Sequence, residues 1–331
     1  MIVTSVCKML GIQHPVFLGP MAGGTNPELV AAVSNAGGLG AMGCARLAPN
    51  VVTQLAADIR QRTDRPFAMN LLLFEADDAA IDAVMTARPS VFSTAWAKPT
   101  QALNPLFDRA HEGGAKVMHM VSTLQEAMRA VEDGADIIVA QGTEGGGHVG
   151  VMSTLVLVPQ VVRAVAPVPV IAAGGFADGA GLAAALALGA QGVLMGTRFL
   201  ATPEGPWPAG FKDAVVRSNG HDTLLSEIPD VITGRVWPGA YARVIRNRMM
   251  EMWLGRMGDL RYKQRDALAQ TLAARETGDA DMGTVYSGQT AGLVSAIEPS
   301  AHIVQRVVEE AEEIIRDTLP SLVRENAPLT K

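Results

Sequence analysis

The chain has 331 residues and a formal net charge of −6, with 48% hydrophobic and 5% aromatic residues. A chain of this length forms one large α/β domain or two ordinary ones. Many small aliphatic residues and few aromatic ones favour helices packed on a sheet over a β-sandwich. The acidic balance argues against a nucleic-acid partner, which requires a concentrated basic face.

Cysteine usage and hydropathy indicate the compartment. Only Cys7 and Cys44 are present, too few for a disulfide framework or a zinc cluster. The sequence shows no charged leader followed by a long apolar core, and no apolar run has the length of a bilayer-spanning helix. We therefore expect a soluble, cytoplasmic protein with no membrane partner and no metal.

Strand and helix candidates alternate over the first 200 residues or so. The predicted strands are Val16–Gly19, Leu39–Met42, Phe67–Asn70, Val91–Thr94, Lys116–Val121, Asp136–Ala140, Val168–Ala173 and Gly192–Met195. The predicted helices are Pro27–Ala36, Pro49–Thr63, Ala76–Thr86, Asn104–Glu112, Thr123–Asp133, Ser153–Ala166 and Ala180–Leu188. Asn26 is a predicted helix cap, and Thr123 with Glu126 has the spacing of a capping box. This alternation is typical of a parallel sheet. We prefer a (β/α)8 TIM barrel to a doubly wound sheet, because a closed barrel leaves no edge strands.

The alternation stops at about residue 203, where prolines and three tryptophans (Trp207, Trp237 and Trp253) are concentrated. We predict that residues 1–202 form the barrel and that residues 203–282 are a mostly helical insertion covering its mouth. A separate small domain is the alternative for the insertion. Residues 283–331 are predicted to return to the barrel and to include an amphipathic helix over Pro299–Arg324.

A glycine-rich decapeptide follows the sixth predicted strand. Residues 141–150 read Gln-Gly-Thr-Glu-Gly-Gly-Gly-His-Val-Gly. Glycines allow a positive φ and a close approach to a ligand, and barrel enzymes place their chemistry at the carboxyl ends of strands. His148 is a candidate acid or base there, because the imidazole titrates near neutrality. A glycine-rich turn with a solvated histidine is the alternative.

Two more glycine-rich segments follow the seventh and eighth strands, Ala173–Gly179 and Met195–Phe199. The loops after these strands form the usual phosphate site of (β/α)8 proteins, where backbone N–H groups bind the anion. Thr197 adds a hydroxyl donor, and Arg198 is a candidate for neutralising charge. Tight strand-to-helix turns are the alternative. One phosphate site without a P-loop lysine favours a mononucleotide such as FMN over ATP.

Six segments, together with Ser287–Val294, carry a family resemblance that runs almost the whole length of the chain. The six are His14–Met21, Ser34–Gly40, Arg65–Asn70, Ala140–His148, Ile171–Gly179 and Met195–Phe199. In these segments the sequence resembles the nitronate monooxygenase (2-nitropropane dioxygenase) family. That family also includes the flavin-dependent enoyl-acyl-carrier-protein reductase II and some NADH:quinone reductases. The chain departs from the family at Gly145, where alanine is usual.

The resemblance implies an FMN-binding barrel with one histidine, His148, beside the flavin. It implies phosphate contacts from Gly174, Gly175, Gly196 and Thr197, and ring contacts from Gly19, Pro20, Met21, Asn70, Gln141 and Gly142. Gly147 and Ala173 complete the predicted set, and Gln289 is expected to approach the flavin from the terminal segment.

Two functional classes follow from these residues. The first is an FMN oxidoreductase. Within this class we favour an enzyme that oxidises nitronates with O2 to a carbonyl compound and nitrite, and the alternative is a reductase that uses NAD(P)H to reduce an enoyl thioester or a quinone. The second is a catalytically silent flavin- or phosphate-binding barrel. His148, Gln141 and Asn70 favour the enzyme, because a scaffold needs none of them. The expected partners are a small-molecule substrate and O2 or NAD(P)H, and a homodimer is left open.

Overall fold

A computed structural model describes residues 2–323 of the protein. Its centre is an eight-stranded parallel sheet in the order β1-β9-β8-β6-β5-β4-β3-β2. The strands are β1 Val16–Leu18, β2 Gly40–Gly43, β3 Phe67–Leu72, β4 Val91–Ala95, β5 Lys116–Val121, β6 Ile137–Gln141, β8 Val170–Ala173 and β9 Val193–Met195. A parallel bridge between Phe17 and Leu39 joins the two ends of the sheet. The predicted TIM barrel and its eight strands are confirmed.

Helices cover the outside of the barrel. They are α2 Pro27–Asn35, α3 Pro49–Arg60, α4 Asp78–Ala87, α5 Asn104–Glu112, α6 Leu124–Glu132, α7 Thr154–Val165 and α8 Gly179–Ala187. The predicted helix starts are confirmed where caps were expected. Asn26 Oδ1 accepts the Leu29 N–H at 2.9 Å. Thr123 and Glu126 form the capping box, because each side chain accepts the other residue's backbone N–H.

Alternating residues of each strand separate two hydrophobic cores. In β6, Ile138 and Ala140 pack under the helices, whereas Ile137 and Val139 point into the barrel. A short helix that was not predicted, α1 Ser5–Leu10, precedes the first strand. Its Val6, with other apolar residues of this helix, belongs to the inner core. The barrel is therefore a packed core and not a pore.

The glycine-rich segment after β6 is only partly a loop. Residues Gly147–Val149 form a short strand, β7. It pairs antiparallel with β11, Tyr241–Ile245, which in turn pairs with β10, Thr223–Ser226. His148 lies opposite Ala242 in this ladder. A three-stranded sheet therefore connects the histidine segment to residues that follow the barrel.

Residues 203–282 contain helices as well as these two strands. After the short α9, Thr197–Leu200, the helices are α10 Ala209–Arg217, α11 Ile228–Thr233, α12 Arg248–Trp253, α13 Met257–Tyr262 and α14 Gln264–Thr277. Several of them enclose their own small core, in which Ile232, Met250 and Trp253 are buried. No helix of residues 2–323 has the length and apolar character needed to cross a membrane.

The C-terminal segment returns to the barrel through a 3₁₀ turn, Gln289–Leu293, and helix α15, Ser300–Glu313. A π-helical turn at Ile314–Thr318 and the short α16, Leu319–Ser321, continue it. Gly179 permits the packing of α15 on α8, because a Cβ there would lie 2.3 Å from Glu310 Cβ. The predicted terminal helix extends to Arg324, which lies outside the described residues.

His119 generates a prediction about acid stability. Its side chain projects from β5 toward Phe107 of α5, is 3% exposed, and has Nδ1 2.7 Å from Thr94 Oγ1. Burial lowers the pKa of His119 to about 4. The unfolded chain takes up this proton below about pH 6.5 while the folded chain does not. Stability is therefore lost as the pH falls from about 6.5 toward 4, by about 3 kcal/mol from this residue.

We expect His119→Asn to remove this part of the pH dependence, because asparagine can still bond Thr94 and does not titrate. The free energy of unfolding, measured by denaturant between pH 7 and about pH 4.5, should fall less steeply in the variant than in the native chain. His302→Asn, at an exposed position of α15, is the control. Equal slopes for the native chain and His119→Asn would contradict the prediction.

Candidate active site

One cavity at the carboxyl ends of the barrel strands brings together most of the predicted site residues. Its walls include Gly19, Pro20, Met21, Asn70, Gln141, Gly147, His148, Ala173, Gly174, Gly175, Gly196 and Thr197. They come from the ends of five barrel strands or the segments that follow them, and parallel strands end at the same edge of the barrel. Sequence-distant residues therefore share one site.

Two predicted residues, Gly142 and Gln289, do not line the cavity. The Gly142 N–H donates to Ala173 O at 2.9 Å, and a Cβ at Gly142 would lie 2.0 Å from Thr154 Oγ1. Gln289 is exposed, and its N–H donates to Glu144 O at 3.0 Å. Its neighbour Thr290 does line the cavity.

Glycines keep one end of the cavity open to a ligand. Gly174 and Gly175 have φ values of 84° and 92°, in the left-handed region that favours glycine. Gly196 has ordinary backbone angles, and a Cβ there would meet only Met21 Sδ, at 3.5 Å. Thr197 Oγ1 accepts the Gly288 N–H at 2.9 Å. The hydroxyl hydrogen of Thr197 is therefore free to donate toward the cavity.

Arg198 does not act at this end of the cavity, contrary to the sequence interpretation. Its side chain is 2% exposed, forms an ion pair with Glu298 and donates to Ala296 O at 3.2 Å. A buried guanidinium needs such a partner, and the terminal segment supplies it. Arg306 Nη1 binds the same carboxylate at 2.7 Å. This network holds the terminal segment to the barrel.

Two polar side chains of the cavity wall, Gln141 and Asn70, fit a flavin ring. Gln141 Oε1 is buried and has no hydrogen-bond partner within residues 2–323. Asn70 Nδ2 donates to Ser93 Oγ at 3.0 Å. Burying an acceptor without a hydrogen-bond donor costs free energy of folding. The edge of an isoalloxazine presents N–H and carbonyl groups that can form hydrogen bonds with the Gln141 and Asn70 side chains. The residues present therefore fit the cofactor that the resemblance implies.

His148 is held by residues that follow the barrel in sequence. Its Nε2 lies 2.7 Å from Asp230 Oδ1, and both side chains are nearly buried, at 7% and 9% exposure. The indole of Trp237 stacks on the imidazole, with 3.4 Å between ring centroids and 10° between planes. Arg243 Nε donates to Thr143 O at 2.9 Å and ties β11 to the loop before His148. The histidine is not a solvated loop residue.

An aromatic wall continues from this stack. Trp237 lies 4.8 Å from the Phe74 ring and 5.9 Å from the Trp96 ring, the latter edge-on. Trp96 has a φ of 56°, an uncommon conformation for a bulky residue. Trp96 and Trp237 both line the cavity, so part of its wall is aromatic.

The wall near His148 also carries positive charge. Arg235 and Arg275 line the cavity together with Tyr286. The nearest carboxylate to Arg235 is Glu75, at 3.9 Å from Nε, and that Nε is buried without a hydrogen bond. Burial lowers the pKa of Arg275, whose guanidinium donates to Gly23 O. Burial and the nearby Asp230 raise the pKa of Tyr286 well above its usual range, so the phenol is a hydrogen-bond donor at neutral pH.

Sequence reasoning missed Asp230, Trp237 and Tyr286. None belongs to a glycine-rich motif, and each lies more than 80 positions from His148 in the chain. The sequence contains one indirect signal for Trp237. Of the 4 tryptophans, Trp207, Trp237 and Trp253 lie in the segment that lacks the alternating pattern. That concentration indicated a packed region but not its contact with His148.

The site can be compared with known proteins. A family model described as nitronate monooxygenase matches residues 4–85 and 74–310. The chain is 33% identical to the (3aS,4S,5R,7aS)-5-hydroxy-7a-methyl-1-oxo-octahydro-1H-indene-4-carboxyl-CoA dehydrogenase of Mycobacterium tuberculosis, over 93% of this chain and 96% of that protein.

Two solved structures are similar over nearly the whole chain. FabK from Thermotoga maritima has a TM-score of 0.87 and 33% identity, covering 98% of this chain and 100% of its own. Nitroalkane oxidase from Streptomyces ansochromogenes has a TM-score of 0.82 and 27% identity, covering 96% of this chain and 100% of its own.

Because Gln141 Oε1 has no hydrogen-bond partner in the described residues, we predict that its removal affects the stability of the flavin-free protein and the affinity for flavin in opposite directions. We expect Gln141→Leu to leave the melting temperature of the flavin-free protein unchanged or raised, because a buried unpaired acceptor is removed. Flavin affinity should fall about threefold to tenfold, the scale of one hydrogen bond. Thermal melting with and without flavin measures both. Gln54→Leu, on the exposed face of α3, is the control, and an unchanged affinity in Gln141→Leu would contradict the assignment.

Proposed function

The chain belongs to the nitronate monooxygenase family and is a flavin-dependent oxidoreductase, and from that premise we propose that it oxidises alkyl nitronates with O2, using FMN. The products are a carbonyl compound and nitrite. The observation that carries the proposal is the imidazole of His148, which lines the cavity with one nitrogen bonded to Asp230 and the other without a hydrogen bond in the described residues.

FMN is the flavin that the glycine cradle supports. Gly174, Gly175, Gly196 and Thr197 line one end of the cavity, the size of site that a single phosphate needs. When bound, the flavin supplies electron uptake from the substrate and electron transfer to O2. The ring would lie against Gly19, Pro20, Met21, Asn70, Gln141, Gly147 and Ala173. Gly142 and Gln289 act indirectly in this proposal, by packing the loop against Thr154 and Glu144.

His148 acts on the substrate as a base in this proposal. A neutral nitroalkane must lose the proton on the carbon that bears the nitro group, and Nδ1 of His148 accepts it while that carbon's bonding electrons move onto the nitro oxygens. The negative charge then faces a wall that contains Arg235, Arg275 and the Tyr286 hydroxyl. A preformed nitronate has already lost this proton and needs only the anion-binding wall. The arrangement serves both substrates.

We also propose that residues 203–282 complete the mouth of the site. Asp230, Arg235, Trp237 and Arg275 belong to this range and surround His148 or line the cavity. In this proposal residues 1–202 hold the flavin, and the insertion shapes the space above it. The substrate would therefore be selected by the insertion more than by the barrel.

A reductase that uses NAD(P)H is the second candidate. The similarity to FabK from Thermotoga maritima, at 33% identity and a TM-score of 0.87, favours it. In that case the substrate is an enoyl thioester or a quinone, and His148 orients or protonates it. The two candidates differ in the electron donor, so flavin reduction distinguishes them.

Gly196 offers a test of the phosphate cradle that does not strain the backbone. We expect Gly196→Val to weaken FMN binding about 10- to 100-fold, because its methyl groups fill the open end of the cavity. Quenching of flavin fluorescence measures the Kd. Gly258→Val, at an exposed position with no neighbour within 4 Å, is the control. Unchanged FMN affinity, or release of FAD from the purified protein, would overturn this assignment.

Replacing His148 separates the two substrates. We expect His148→Ala to reduce kcat/KM for neutral nitroethane by about 10²-fold or more, the scale for loss of a general base. The value for preformed ethyl nitronate should fall much less, since its proton is already gone. Oxygen uptake with each substrate form provides the measurement, and His302→Ala on exposed α15 provides the control.

Anaerobic stopped-flow spectra of the flavin decide between the candidates. The proposal expects rapid flavin reduction by ethyl nitronate and slow reduction by NADH and NADPH. Faster flavin reduction by NAD(P)H than by any nitronate would contradict the proposed nitronate oxidation and favour the NAD(P)H-dependent reductase.

A further inference from the structure

Within residues 2–323, two histidine–carboxylate pairs have the same length but different surroundings. His148 Nε2 lies 2.7 Å from Asp230 Oδ1, and His111 Nε2 lies 2.7 Å from Asp136 Oδ2. The side chains of the first pair are 7% and 9% exposed, and those of the second are 35% and 17% exposed. Only the first pair touches the cavity. The second pair therefore serves as an internal comparison for the first.

We propose that Asp230 is the positioning residue of His148, which fixes Nδ1 as the working nitrogen and stabilises the imidazolium that forms when Nδ1 takes the substrate proton. This inference rests on the proposed function. Asp230 acts through His148 and does not touch the substrate.

The hydrogen bond assigns the tautomer of the neutral ring. An ionised carboxylate only accepts hydrogen bonds, so the nitrogen facing Asp230 must carry the hydrogen. Nε2 is therefore the N–H nitrogen, and Nδ1 carries the lone pair. The reverse tautomer would set two acceptors against each other at 2.7 Å. Without Asp230 the ring would be free to exchange between both forms.

The segment that carries Asp230 is fixed on both sides. The Asp230 N–H donates to Glu227 O at 3.0 Å, and the Asp230 carbonyl accepts the Arg235 N–H at 2.9 Å. Trp237, seven residues later, stacks on the imidazole. The hydrogen bond fixes the rotation of the ring, and the indole fixes its plane. One short stretch of chain therefore holds the ring in two independent ways.

The charges around His148 show why the Asp230 carboxylate is needed to stabilise a protonated imidazole. Tyr286, Arg235 and Arg275 line the same cavity, and Glu75 faces Arg235 at 3.9 Å. Within residues 2–323 no carboxylate lines the cavity itself. A positive charge created on His148 would therefore meet two guanidinium groups and no anion on the cavity side. Asp230 offsets that charge from behind the ring, at hydrogen-bond distance.

Asp230→Asn tests the charge while it keeps an oxygen acceptor at the same place. We expect kcat/KM for nitroethane to fall at least about tenfold, because the imidazolium is no longer stabilised. The value for ethyl nitronate should change less than about twofold, since no proton is transferred to His148. The plot of kcat/KM for nitroethane against pH has an acid limb, where the value falls because His148 is protonated and cannot act as a base. In Asp230→Asn this acid limb should move to lower pH, because the carboxylate that favours the protonated ring is gone. Asp230→Glu should retain the position of the acid limb even where its rate is lower.

Asp136→Asn is the matched control, because it removes a carboxylate from a histidine at the same distance outside the cavity. We expect native rates and a native pH profile for both substrates. Flavin content and melting temperature are recorded for every variant. Equal losses on nitroethane and ethyl nitronate in Asp230→Asn, with an unmoved acid limb, would show a merely structural role and overturn the inference.

A measurement without turnover separates this inference from the proposed function. In protein labelled with ¹⁵N-histidine, the His148 signal is assigned by comparison with His148→Asn. The native ring should show the Nε2–H tautomer and should protonate at higher pH than in Asp230→Asn. Failure of the native enzyme to oxidise any nitronate would refute the proposed function alone. A His148 titration that is unchanged by Asp230→Asn, or a native ring in the Nδ1–H tautomer, would refute the role of Asp230 whatever the substrate.

Discussion

The backbone pairing of β7 with β11 is the constraint on which the site depends. Three residues, Gly147–Val149, leave the glycine-rich loop and form a ladder with Tyr241–Arg243. Without this pairing the segment between β6 and α7 would be a long flexible loop, and the position of His148 would be undefined. With it, the alternation of a strand directs the imidazole to one face. The geometry of the site is thus determined as much by residues after the barrel as by the barrel.

Glycine makes this pairing compatible with a ligand cavity. A Cβ at Gly146 would lie 2.4 Å from the Gly288 nitrogen, so the loop passes directly against the terminal segment. Gly147 has a φ of 74°, which turns the chain into β7. The glycines of the decapeptide therefore have different roles, and close packing of backbone on backbone accounts for some of them. From the sequence, these glycines were predicted to permit a positive φ and a close approach to a ligand, with a glycine-rich turn as the alternative.

Local patterns made the barrel predictable, whereas long-range packing determined the rest. Runs such as Ile137–Ala140 are apolar on both faces and alternate with amphipathic helices, and this pattern has few solutions other than a parallel α/β fold. The cavity residues at strand ends follow from the same topology. Asp230 and Trp237 do not, because their contact with His148 depends on the path of the chain beyond residue 203, which has no repeating pattern. Charged residues were equally hard to assign: Arg198 has the position of a phosphate ligand but pairs with Glu298, 100 residues later.

This division between local and long-range determinants also explains why the family resemblance defines the cofactor better than the reaction. The glycine cradle and Gln141 are encoded in short segments at strand ends, and in the proposed function they contact only the flavin. Arg235, Trp237 and Arg275, together with Tyr286, line the cavity beside His148, and all lie beyond residue 203. A change in this region alters charge and shape above the flavin without disturbing the barrel. In the proposed function, the choice of substrate therefore rests on the balance between proton abstraction at His148 and anion binding by the arginines.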